Sequence, residues 1–134
     1  MIIWNANFET DHPDIDREHR GICDRLNQIE IALDAGAGRE QIAEMVSVLL
    51  SYTLVHFRRE EAAMACVRCP LRGENCIAHA KFAGRLERWL EVLTIPDVST
   101  VILKDVHAET CRWIEQHLLQ IDSSLRRHYP LSAA

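Results

Sequence analysis

Six side chains able to ligate a metal, His19, His56, Glu60, His79, His117 and Asp122, are spaced so that they gather at one end of a four-helix bundle. Four neutral imidazoles and two carboxylates make a mixed nitrogen and oxygen donor set. That set suits iron better than magnesium or calcium, which want oxygen alone. It is too large for one tetrahedral zinc. Two carboxylates among the histidines allow bridging, so two metals close together are expected.

The elements that must carry these groups follow from apolar periodicity. An arm over residues 1 to about 14 contains Pro13 and shows no helical period; its Trp4 and Phe8 are expected to lie on the bundle. A first helix over about 16–35 carries the stripe Ile22, Leu26, Ile29 and Leu33, with His19 one turn earlier. Gly36 and Gly38 end it. A second helix, about 40–65, has Ile42, Met45, Val46, Leu49 and Thr53 on its inner face, and the same steps continue to His56, Glu60, Ala63 and Met64. The third, about 75–93, shows His79, Phe82, Leu86, Trp89 and Leu93 in register. Pro96 breaks it. Asp97 or Ser99 can cap the fourth, about 98–127, with Ile102, Val106, Glu109 or Thr110, Trp113 and His117 inward. Short loops imply an all-α, antiparallel up-down-up-down bundle in a single domain over 1–134.

Convergence is a matter of height, because each helical residue rises 1.5 Å. His19 lies about 18 residues before the first turn and His56 about 19 after it. His79 and His117 stand about 17 and about 21 residues on either side of the third turn, so all four reach one level. Asp122 is harder to place, since five residues on from His117 is a rotation of about 140°. A π-bulge would turn it inward. Without partners, burying six such groups costs several kcal/mol each, and a metal pair satisfies them together.

With a net charge of −5 and no basic stripe, the chain is not expected to bind nucleic acid. No apolar run approaches 18 residues and no signal peptide is read, so a cytoplasmic protein off the membrane is expected, as a monomer or weak oligomer. Five cysteines, an odd number, do not suggest a secreted disulfide framework.

Several stretches together resemble the haemerythrin family: Trp4-Asn5, Ile15-Asp16-Arg17-Glu18-His19, His56-Phe57-Arg58-Arg59-Glu60-Glu61 followed by Met64, His79-Ala80-Lys81-Phe82, and Trp113 through His117 to Asp122. The resemblance implies two non-haem iron ions, oxo- or hydroxo-bridged, binding O2 or a similar small diatomic ligand. It would put His19 and His56 on one iron and His79 and His117 on the other, with Glu60 and Asp122 bridging. One histidine of the family pattern, four residues before His79, is replaced by Asn75. Its carbonyl, a water, an empty position or the neighbouring Cys76 thiolate could complete that site.

Cys66-x-x-Cys69 with Cys76 reads either as a redox or metal cluster or as three unrelated loop thiols. Cys23 and Cys111 are expected in the core, whereas His12, His107 and His128 are expected in solvent. O2 storage, delivery or sensing is the leading functional expectation. The alternatives are a redox enzyme or an O2, NO or peroxide sensor with an altered second iron site, and a non-catalytic interaction module.

Overall fold

Apolar side chains recurring every three to four positions fold the chain into four long helices: α1 (Pro13–Asp34), α2 (Arg39–Cys66), α3 (Arg72–Val92) and α4 (Thr100–His128). A single 3-10 turn, Ala6–Phe8, precedes them. The structure, a computed structural model, describes the backbone of residues 1–128 and the side chains of residues 1–120. Among the described residues there is no strand, and no helix is long and apolar enough to cross a membrane. α1 packs on α2 and α4, and α2 packs on α3, giving the up-down-up-down order. α3 and α4 approach each other less closely among the described residues.

Local chemistry sets the helix ends. Pro13 opens α1, where its missing N–H is not needed. Asp16 in the first turn accepts from both the N–H and the hydroxyl of Thr10 at 2.9 and 2.8 Å. α1 closes with Gly36 at φ 81°, and Ala37 N–H reaches back to Ala32 O at 3.0 Å. α2 closes with the same motif, but Arg68 takes the left-handed position at φ 53°. Arg68 N–H and Cys69 N–H then bond Ala65 O and Met64 O at 3.1 and 2.9 Å. Cys69 thereby packs on Met64 and Ile15 as the apolar residue that accompanies such a cap. Ser99 caps α4, its hydroxyl accepting from Val101 N–H at 3.2 Å.

Leu26, Ile29, Ile42, Leu49, Phe82, Leu86 and Trp89 make a fully buried core away from the polar groups. Each such side chain contributes roughly 1.5–3 kcal/mol through burial. The arm is tied on by two bonds between Ile2 and Asn27, at 2.7 and 2.8 Å, with Ile2 and Phe8 buried. Trp4 is half-buried against the core.

Several expectations are corrected. α3 starts at Arg72, three residues before the expected Asn75. On α4 the inward stripe is Leu103, His107, Thr110, Cys111, Ile114, His117 and Leu118, while Ile102 is 49% exposed. The helix is rotated by about one residue relative to the expected stripe, which shared only Thr110 and His117 with the observed one. His107, expected in solvent, is therefore buried: its Nε2 bonds Leu26 O at 2.7 Å and its ring meets Trp89 edge-on. His12 is also buried, at the start of α1. His128 lies outside the described side chains. Cys23 and Cys111 are core residues as expected, and burial raises their thiols to about 12 and about 11.

Shortening a side chain inside this core leaves a cavity. Leu26→Ala is expected to lower the unfolding free energy by about 2–5 kcal/mol, whereas exposed Val101→Ala should stay within about 0.5 kcal/mol. Urea unfolding of both variants checks the contrast.

Candidate metal centre

Each helix delivers its polar groups on the continuation of its apolar stripe. His19 comes from α1, His56 and Glu60 from α2, Asn75 and His79 from α3, and His117 from α4; all six are buried. The i, i+4 spacing of His56 and Glu60 sets both on one face of α2. Glu60 stands at the centre. Its Oε2 is 2.9 Å from His19 Nε2 and 2.8 Å from His56 Nε2. Its Oε1 accepts from Asn75 Nδ2 at 2.6 Å and lies 3.3 Å from His79 Nε2, out of line for a hydrogen bond.

The imidazoles form two pairs, one on either side of this carboxylate. The His19 and His56 rings are 4.6 Å apart at 74°, and the His79 and His117 rings 5.3 Å apart at 71°. Two donor sets result, His19–His56–Glu60 and Glu60–His79–His117, each with ligand atoms within 4.8 Å of one another. They share Glu60. Five of the six expected ligands are thus brought together. The sixth, Asp122, lies on α4, but its side chain is outside the described residues. α4 runs as unbroken α-helix to His128, so the expected π-bulge is not observed.

Two carboxylates absent from the expected ligand set hold the outer nitrogens. Glu18 Oε1 is 3.0 Å from His56 Nδ1, and Glu61 Oε2 is 2.7 Å from His79 Nδ1. Each such contact orients its ring and directs Nε2 into the centre. Arg59 in turn grips Glu18. Cys76 donates to Glu61 Oε1 at 3.0 Å, so its thiol serves this outer carboxylate and does not replace a ligand. Cys66 is exposed and Cys69 belongs to the α2 cap, so the three loop thiols have three separate settings. Aromatic faces shield the centre: Phe57 stacks on His79 at 3.7 Å and 6°, and Trp113 on His117 at 4.7 Å and 20°.

Electrostatics favour metal ligation. Burial would raise the Glu60 carboxyl, but hydrogen bonds from His19 and His56, together with the nearby His79, outweigh it and hold the group well below its usual range. Burial lowers His19, and it lowers His117 to about 3 with help from repulsion by His79. His56 is raised, because hydrogen bonds and charge from Glu60 and Glu18 overcome its burial. Among the described residues, His79 Nε2, His117 Nε2 and Asn75 Oδ1 are buried without a hydrogen-bond partner. Unsatisfied nitrogen lone pairs around one ionised carboxylate fit cations of the iron or zinc type and leave no role for an apolar ligand.

The profile of the Hemerythrin HHE cation binding domain matches residues 10–129. A bacteriohemerythrin of Stenotrophomonas maltophilia is 24% identical over 119 residues, covering 88% of this chain and 74% of that protein. A hemerythrin of Siphonosoma cumanense is 26% identical over 121 residues, covering 90% and 88%. A bacteriohemerythrin of Pseudomonas aeruginosa is 35% identical over 65 residues, covering 47% of this chain and 40% of that protein. No solved structure matches.

The pH dependence of the metal-free protein follows from these shifts. His117 is depressed from 6.5 to about 3, so its contribution to stability is complete above pH 6.5 and is lost as pH falls toward 3. Depressed His19 and Glu60 act in the same direction, and raised His56 opposes them by losing its contribution as pH rises. The urea midpoint is therefore expected to drop on acidification below pH 6.5, and His117→Leu should flatten that drop. An unchanged slope in the variant would contradict the burial argument.

Proposed function

This chain belongs to the hemerythrin family, and from that membership we propose that its core holds two non-haem iron ions bridged by Glu60 and binds O2 for storage, delivery or sensing. The observation that carries the reading is the pair of buried donor sets sharing one carboxylate. His19 and His56 would hold one iron, and His79 and His117 the other. Asp122 would supply the second bridging carboxylate by the family pattern. When bound, the iron pair supplies two adjacent one-electron donors to a small diatomic acceptor.

The protein's own groups do the remainder. With metal bound, Glu18 and Glu61 would hold the protons of His56 and His79 on the outer nitrogens and leave both Nε2 atoms free to ligate. Phe57, Met64 and Trp113 line the centre with apolar surface and restrict water. That restriction favours reversible ligand binding over loss of charged products to solvent.

One observation favours a second reading, a redox enzyme or sensor. Asn75 stands where the family pattern has a histidine, and its amide is turned toward Glu60. The second iron then has one imidazole fewer, which loosens it and leaves room for a further exchangeable ligand.

Metal analysis after anaerobic reconstitution should give two irons per chain, with an absorption band on oxygenation that fades on deoxygenation; fewer than about one iron per chain would overturn the proposal. Glu61→Gln is expected to weaken metal binding by 10–100-fold, on the order found for such outer carboxylates. Competition with a chelator measures it. Asn75→His should lengthen the lifetime of the oxygenated form if the second reading applies.

A further inference from the structure

The orientation of the Asn75 amide has a consequence for ligand choice. Nδ2 donates to Glu60 Oε1 at 2.6 Å and to Met64 Sδ at 3.1 Å, which occupies both of its hydrogens. A carboxylate only accepts, so the nitrogen must be the end facing Glu60, and Oδ1 is turned elsewhere. Asn75 is 5% exposed, and Oδ1 has no hydrogen-bond partner among the described residues.

Asn75 and His117 wall a cavity of about 80 Å³ between α3 and α4. Met64, Leu71 and Ala78 make its apolar lining, and Glu74 and Gln120 complete it. His117 Nε2, also without a partner, would be taken by the second metal. Oδ1 then remains as a lone acceptor. A buried acceptor left unmatched is destabilising, so a donor that reaches it gains affinity. The space is large enough to admit a molecule of two or three heavy atoms.

We propose that this cavity is a ligand pocket of the His79–His117 metal, selective for small protic molecules of the hydrogen peroxide class. Such a molecule offers a lone pair to the metal and an O–H or N–H to Asn75 Oδ1. O2, NO and azide carry no hydrogen and gain nothing from that oxygen. The selectivity is set by Asn75: a histidine there would fill the position with a ligand nitrogen. This inference rests on the paired-metal reading above and adds to it the ligand class at the second metal.

The test uses the full chain loaded with two zinc ions, a redox-inert substitute that prevents turnover. Hydroxylamine, which shares the HO–X form of hydrogen peroxide, is titrated calorimetrically against azide. Hydroxylamine is expected to bind the native chain at least tenfold more tightly than it binds Asn75→Leu, while azide changes by less than twofold. If Asn75→Leu does not fold, Asn75→Ala removes the same acceptor, and the same result is expected. Equal hydroxylamine affinity with and without Asn75 would overturn the inference, as would a parallel loss for both probes. In either case two bound zincs per chain would leave the paired-metal reading standing. Fewer than two zincs per native chain would instead remove that reading and the inference with it.

Discussion

A single ionised carboxylate, that of Glu60, is almost wholly removed from water in the middle of the bundle. Isolated, it would be too costly to bury in charged form. Donors on α1, α2 and α3 converge on its two oxygens, and this compensates the burial. The helices must hold one relative height for those donors to reach it. The apolar core supplies most of the stability, but the carboxylate sets a register that apolar packing by itself leaves loose.

The centre is built in layers outward from that group. The imidazoles of His19, His56 and His79 touch Glu60, Glu18 and Glu61 touch those of His56 and His79, and Arg59 and Cys76 touch these outer carboxylates. The rings of His56 and His79 are thereby held from both sides. The aromatic stacks on His79 and His117 cover the faces that hydrogen bonds cannot. Rings constrained in this way are prepared for ligation before any metal arrives.

Much of this was legible in the residues. The stripes on α1 and α3 lie as periodicity predicts, and five of the six expected metal-binding side chains come together as their distances from the turns predict. Glu18 and Glu61 were not singled out, although each is adjacent in sequence to a ligand. Neighbours on a helix point about 100° apart, so adjacency to His19 or Glu60 says nothing of contact with His56 or His79 on other helices. His107 was misjudged because Ile102 competed with Leu103 to start the α4 stripe, and one residue of rotation exchanges solvent for core. Cys69 reads in sequence either as part of a redox or metal cluster or as an unrelated loop thiol, and its burial follows from the cap closing α2.

By itself the sequence determined the four helices and the level along the axis at which the expected metal-binding groups sit. Rise accumulates locally, one residue at a time, so counting from the turns is enough. Tertiary structure alone decided which way each helix is rotated, which carboxylate holds which imidazole, how the Asn75 amide is turned and where α3 and α4 leave a cavity. Those depend on side chains from several helices packing at once, and no single segment contains that information.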